Sequence, residues 1–379
     1  MPKVFLVLLW LNAATLSLWS APANGSLQHE VQRAIDRGTE WLVKHQDTNG
    51  FWSTADHPAL TAYALVALRG DSSVSKSKEA ASRRGNEFIL SCVKPDGSIS
   101  GPKQELVNYN TAVSIMGLLA ATNANFKPII LKAREYLIGT QNDLDEPGKT
   151  DSVFDGGIGY GSKYKHSDMG NTLAALEAIY YSRQLVQDEK PAGGRDLNWP
   201  AVVQFIQNCQ NLSAYNKQPW VSDDPVNKGG FVYYPGQSMA GETNLPGGRV
   251  ALRSYGSISY GGMLSYAYAQ LKKDDPRVRA VSDWLRRNYT LEENPGMGPQ
   301  GLFFYFQTMT KALSAYDVDS LETADGKSVN WREQLALKLL NLQLADGSWV
   351  NANARWWEKD AVLVTAYALI SLEMMQRRL

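Results

Sequence analysis

An all-α chain closed into an α/α toroid, an α6/α6 barrel of six helical hairpins, is the fold this sequence predicts. Two observations carry that expectation. A couplet of helix-like segments recurs six times, and a hydroxyl residue near the start of each second segment aligns at Thr61, Thr111, Thr172, Ser259, Thr308 and Thr365. The spacings of 50, 61, 87, 49 and 57 residues, with two helices per unit, mark a helical repeat. The first and last couplets are also the most regular, whereas an open solenoid needs atypical, polar end units. The six hairpins are therefore expected to close on one another as one domain over residues 24–379.

The couplets run in order along the chain. "RGTEWLVKHQDTNGFW" (37–52) leads to "HPALTAYALVAL" (57–68), apolar at 60, 64, 65 and 68, the spacing of one helical face. "RGNEFILSCVKPDGSI" (84–99) leads to "NYNTAVSIMGLLA" (108–120), and "AREYLIGTQND" (133–143) leads to "HSDMGNTLAALEAI" (166–179). The fourth, "AVVQFIQNCQN" (201–211), is followed by the insertion "KGGFVYYPG" (228–236) and by "SYGSISYGGMLSYAYAQL" (254–271). "AVSDWLRRNYTLEENPGMG" (280–298) with "FFYFQTMTKALSAY" (303–316), and "LALKLLNLQLADGSW" (335–349) with "DAVLVTAYALISLEMM" (360–375), complete the set. The second segments place Ala and Gly between larger residues, which suits an inner ring of close-packed helices. The first segments carry the charge and suit the outside.

The first 23 residues stand apart. "MPK", an apolar run and the small residues "SAPA" form an export leader with cleavage near Ala21 or Ala23, so the protein is expected to be periplasmic or secreted. Membrane contact is expected only through that segment if it is left uncleaved. Lys plus Arg (38) balance Asp plus Glu (38), which argues against a nucleic-acid partner. Protein partners leave no mark in the sequence. Cys92 and Cys209 make neither a disulfide framework nor a CxxC pair. Eleven Trp and 18 Tyr suit an aromatic core or an aromatic-lined cavity.

The stretch 37–52 holds Arg37, Gly38, Trp41, Leu42, Gln46, Gly50 and Trp52; the sixth unit keeps Gln343, Gly347 and Trp349. The third keeps Tyr136, Leu137 and Gln141, the fourth Phe205 and Gln210, and the second has Val93 and Ile99 in place of the Gln and Trp. This pattern resembles the QW repeat of the squalene–hopene cyclase and protein prenyltransferase superfamily, over residues 33 to 376. The repeat residues themselves read as scaffolding: a Gln for orphan helix-end groups, a Gly for the left-handed turn, a Trp stacked across the junction.

The resemblance implies a central cavity ringed by the starts of the inner helices, and an isoprenoid or other apolar ligand. It does not supply the chemistry. Cyclases of the family protonate their substrate with Asp-x-Asp-Asp-Thr-Ala, and Asp168-Met169-Gly170-Asn171-Thr172 keeps only the first Asp. The zinc-binding Asp-x-Cys of the prenyltransferases and the Gly-Cys-Gly-Glu-Gln thioester of complement-type toroids are absent. No cofactor and no metal is expected, since only His57 and His166 of the four histidines could face the cavity.

Candidate cavity residues are His57, Asn110, His166, Asp168, Asn171, Arg253, Tyr255, Tyr260, Trp356, Trp357 and Asp360. Asp168 and His166 are the candidates for catalysis, with helix capping as the competing role of Asp168. Three functions remain open on the sequence: a ligand-binding toroid, a terpene cyclase or carbohydrate-active enzyme with an atypical acid, and a structural or protein-interaction scaffold. An open apolar cavity with one buried carboxyl would favour an enzyme; a filled centre would favour a scaffold.

Overall fold

The structure, a computed structural model, describes residues 25–70, 75–161, 166–187 and 196–379. The expected leader lies outside them. Six outer helices, α1 (Gly25–Lys44), α3 (Lys76–Ser91), α5 (Lys127–Ile138), α8 (Trp199–Asn208), α10 (Pro276–Arg287) and α12 (Trp331–Leu342), alternate with six inner ones. The inner helices are α2 (Pro58–Gly70), α4 (Val107–Ala120), α6 (Met169–Ser182), α9 (Gly256–Tyr268), α11 (Leu302–Ala315) and α13 (Ala361–Gln376); a single turn, α7 (Gln184–Gln187), follows α6. Short antiparallel ribbons, β1 (Glu242–Asn244) with β2 (Val250–Leu252) and β3 (Leu321–Glu322) with β4 (Ser328–Val329), sit in two of the connections.

The two helix classes differ as their composition requires. Along α1, Val31, Ala34, Ile35, Gly38, Trp41 and Leu42 are buried as one stripe, with charged residues on the other face. In α4 and α13 nearly every residue is buried, because an inner helix is flanked by neighbours and backed by the outer layer. The inner helices pack in the order α2, α4, α6, α9, α11, α13 and back to α2, while α1 packs on both α12 and α13. The ring is closed. Small residues allow the approach: a β-carbon on Gly117 of α4 would stand 3.0 Å from that of Ala62 in α2.

The repeat residues are the staples between units. Gln46 Nε2 donates to the carbonyls of Gly50 (2.8 Å) and of Ala81 on the next outer helix (2.9 Å). Gln141 reaches Gly156 and Asn198 in the same way, and Gln210 reaches Gly229 and Arg277. Gln343 donates to Gly347 and to Ala34 of α1, so the last staple lands on the first helix. In the fifth unit Tyr289 holds the Gln register, and its hydroxyl reaches Gln334 of α12 instead.

In every unit but the fifth the repeat glycine lies in the left-handed region, φ +90° at Gly50 and +97° at Gly347, against a backbone carbonyl of the next outer helix. The Arg-Gly pair has its reason too: Trp52 lies over Gly85 and Trp349 over Gly38, where a β-carbon would come within 2.7 and 2.8 Å of the indoles. The aligned hydroxyls are also structural. Thr61, Thr111, Thr172, Ser259 and Thr365 accept the backbone N–H of Trp52, Ile99, Ile158, Phe231 and Trp349 at 2.9–3.0 Å. Thr308 departs from this and donates to the carbonyl of Phe304. The two thiols, Cys92 and Cys209, are buried C-caps of α3 and α8.

Candidate functional site

The centre of the ring is open. A cavity of about 2700 Å³ runs between the six inner helices and reaches both their N-terminal and C-terminal ends. Its wall is apolar at mid-depth, from Val113 and Met116 of α4, Leu173 of α6, Leu264 of α9, and Leu363 and Ile370 of α13. Two polar clusters interrupt that wall. Tyr63 of α2 and Tyr109 of α4 share a hydrogen bond of 2.9 Å beside the ring of Tyr367. Lys311 of α11 bonds both carboxylate oxygens of Glu177 on α6 (2.8 and 3.0 Å), spanning the intervening α9. Glu177 is the single charge on α6 and Lys311 the single charge on α11.

At the N-terminal mouth stand His57, Asn110, His166, Asn171, Tyr255, Trp356 and Trp357, all of which line the cavity. The other four candidates do not. Asp168 is fully buried at the N-cap of α6, where Oδ1 accepts the N–H of Asn171 (2.9 Å) and Oδ2 its side-chain amide (2.7 Å). Tyr260 faces the core, with its ring 5.6 Å from that of Tyr305. Asp360 caps α13 through the N–H groups of Val362 and Leu363 and receives the Ser53 hydroxyl in a small separate depression. Arg253 is exposed outside the cavity, its backbone tied to Gly241 and Ser238. In each case a residue at an inner helix start points along or away from the ring, which sequence alignment alone does not resolve.

Tyr160 and Tyr233 were not foreseen. Their hydroxyls bond at 2.7 Å, both line the cavity, and Tyr233 lies over Gly170, the position where the cyclase motif has its acid. Tyr233 and Tyr234 come from the fourth-unit insertion, and the ring of Tyr234 lies 4.4 Å from His166. The acidic loops are structural. Asp155 accepts the N–H groups of Leu144 and Ser152, Asp224 closes the 222–227 turn, and Asp317 and Asp319 pair with Arg378. Among the described residues no three His, Cys, Asp or Glu side chains gather as metal ligands would.

Burial raises the Asp168 carboxyl to about 6, against the pull of the Asn171 amides and of the Tyr233 hydroxyl beside it. The folded state thus holds this proton more tightly than the unfolded chain. Stability contributed here is present below about pH 4 and is lost as pH rises to about 6, at a cost of order 2–3 kcal/mol. Asp168→Asn should remove that slope. Asn still caps the helix, and the unpartnered Asn171 Oδ1 can turn to meet its amide. Urea unfolding at pH 4, 5, 6 and 7 checks it, and an unchanged slope in the variant would refute the assignment.

The 351–360 loop crosses the mouth. Trp356 and Trp357 are consecutive left-handed residues, φ 55° and 67°, and both are exposed, 39% and 49%. Glu358 anchors them: its buried carboxylate accepts the N–H of Phe304 (2.8 Å) and the Asn351 amide (2.6 Å). It thereby caps α11, whose own N-cap, Gly301, has no side chain to do so. Burial raises the Glu358 carboxyl above the usual range, its hydrogen bonds opposing.

No protein-family model matches the sequence, and no curated protein is a detectable relative. Solved structures are similar. The type II terpene cyclase MstE from Scytonema superposes with a TM-score of 0.54 at 13% identity, over 93% of this chain and 99% of that one. A variant of it in complex with geranylgeranyl dihydroxybenzoate, its substrate, gives 0.53 at 11% identity with the same coverage. A protein from Actinoplanes gives 0.51 at 14% identity, over 91% and 99%. The chain has the α/α toroid fold of the squalene-cyclase-like terpene cyclases.

Proposed function

We propose that this toroid takes an elongated, largely apolar ligand end-on into its central cavity, in an exported compartment and after loss of the leader. The observation that carries the reading is the open lumen itself: about 2700 Å³ with an apolar wall between two polar zones. Drug-sized pockets hold roughly 300–1,000 Å³, so this one suits a long chain. A scaffold would have filled that space with side chains. The Scytonema enzyme of the same fold holds a geranylgeranyl compound, which supports a prenyl-type chain here.

A second reading, acid-catalysed turnover of the same ligand, is favoured by one observation: a buried carboxyl raised to about 6 beside Tyr233. Because Asp168 does not line the cavity, its proton would pass through the Tyr233 hydroxyl. One experiment serves both readings. Protein purified from its native compartment should start between residues 21 and 25 and release an apolar compound on organic extraction, seen by mass spectrometry. An intact Met1 would sink export, and an empty extract from freshly isolated protein would sink the ligand. A released compound that is converted on incubation with the native protein, but not with Asp168→Asn, to a product of different chromatographic retention, an isomer of equal mass or its hydrate, would establish turnover.

A further inference from the structure

The N-terminal mouth differs chemically from the rest of the cavity. Two indoles project there from a backbone held left-handed at consecutive non-glycine positions. Such strain costs about 1–3 kcal/mol per residue and persists only where surrounding structure enforces it. The enforcement is visible: the Glu358 carboxylate on α11 below, and Arg355 bonded to Gln300 at 2.7 Å and stacked on Trp356 at 4.8 Å. A β-carbon on Gly301 would come within 2.9 Å of the Trp356 ring, so the glycine is the seat of that indole.

Beneath Trp357 lies His57, ring centroids 5.0 Å apart and edge to face. His57 is nine-tenths buried, lines the cavity, and has no hydrogen-bond partner for Nδ1. Charge is balanced around this mouth. Lys103 pairs with Asp56 at 2.7 Å, Glu105 and Arg355 are charges of opposite sign, and the loop itself adds the Glu358 carboxyl and the exposed Lys359. The opposite mouth is the basic one: Arg183, Lys272 and Lys273 line it with three further arginines, against the carboxylates of Asp274, Asp317 and Glu373. An anionic head group has its match there.

We infer that the Trp356–Trp357 mouth is a head-group subsite for an uncharged pyranose ring, so that the ligand is a glycosylated apolar chain. A pyranose offers flat C–H faces to an indole and hydroxyls at its edge. The two half-exposed tryptophans supply the platform, and His57 Nδ1 supplies a hydrogen-bonding atom in want of a partner. Charge balance removes any preference for phosphate or carboxylate. The apolar wall below then takes the chain. This inference rests on the proposed end-on binding of an elongated ligand.

Three dodecyl amphiphiles with one common tail test it, by calorimetry on the full mature chain below their micelle concentrations. Dodecyl maltoside should bind about tenfold more tightly than tetraethylene glycol monododecyl ether or dodecyl phosphate, a difference of about 1.4 kcal/mol. That advantage should vanish in Trp356→Gly/Trp357→Gly, which keeps the left-handed backbone available, and shrink in His57→Phe, which keeps the ring contact. Binding of the polyether in both variants reports that they are folded. Equal affinity for maltoside and polyether in the native protein, or an advantage that survives loss of both indoles, overturns the head-group subsite while end-on binding stands. Failure of all three amphiphiles to bind overturns both.

Discussion

Trp349→Ala should destabilise the protein by about 3–5 kcal/mol, and Trp52→Ala by a similar amount. Each side chain is fully buried and donates its indole N–H at 2.8 Å to a carbonyl of its own outer helix, Leu339 or Leu42. Truncation would remove that hydrogen bond, leaving the Leu42 carbonyl only the His45 N–H, and empty a space walled by the glycine of the next unit, Gly38 or Gly85, which cannot fill it. Urea unfolding at fixed pH measures the loss. Trp356→Ala is the internal control: its indole is 39% exposed at the mouth, and its removal should move the midpoint little. A small effect at Trp349 and Trp52 alike would remove them from the scaffold.

Gly229→Ala should cost at least about 3 kcal/mol, more than its backbone angle explains. A left-handed conformation costs an alanine about 1–2 kcal/mol wherever it occurs. At Gly229, φ +95°, the new methyl would also stand 2.0 Å from the carbonyl oxygen of Ala280, so α10 must move away. Gly236, φ +94°, faces open space and isolates the angular cost. The difference between the two variants in chemical unfolding is the steric contribution of one inter-unit contact. Equal losses would show that α10 yields freely.

The repeat was legible because its devices are local. Gly50 and Gln46 stand four residues apart, and the turn they close, with Gln46 Nε2 on the Gly50 carbonyl, depends little on the rest of the chain. Closure could be inferred from the regularity of the end units, and Gln343 on Ala34 confirms it. The site was less legible. Glu177 and Lys311 pair across 134 residues of sequence, although each is the single charge of an otherwise neutral inner helix, a signal that could have been used. Glu358 caps a helix 54 residues before it. Nothing near Trp356 and Trp357 announces a left-handed pair, since no Gly or Asn stands at either position. Asp168 was read both as a cap and as a cavity residue, and Asp360 as a cavity residue alone. The same carboxylate cannot turn toward helix amides and face the lumen, and in both cases the amides hold it.

The landing of Gln343 on α1 alters how the molecule can come apart. In a linear array the terminal repeat is held on one side only, so fraying begins there. Here the first and sixth units hold each other, through α1 on α12 and α13 and α13 on α2. Every unit has two neighbours, and releasing any one requires two interfaces to break together. The first and last of the described helices thus lie inside the cooperative unit, and a ligand bound end-on as proposed leaves only by way of a mouth.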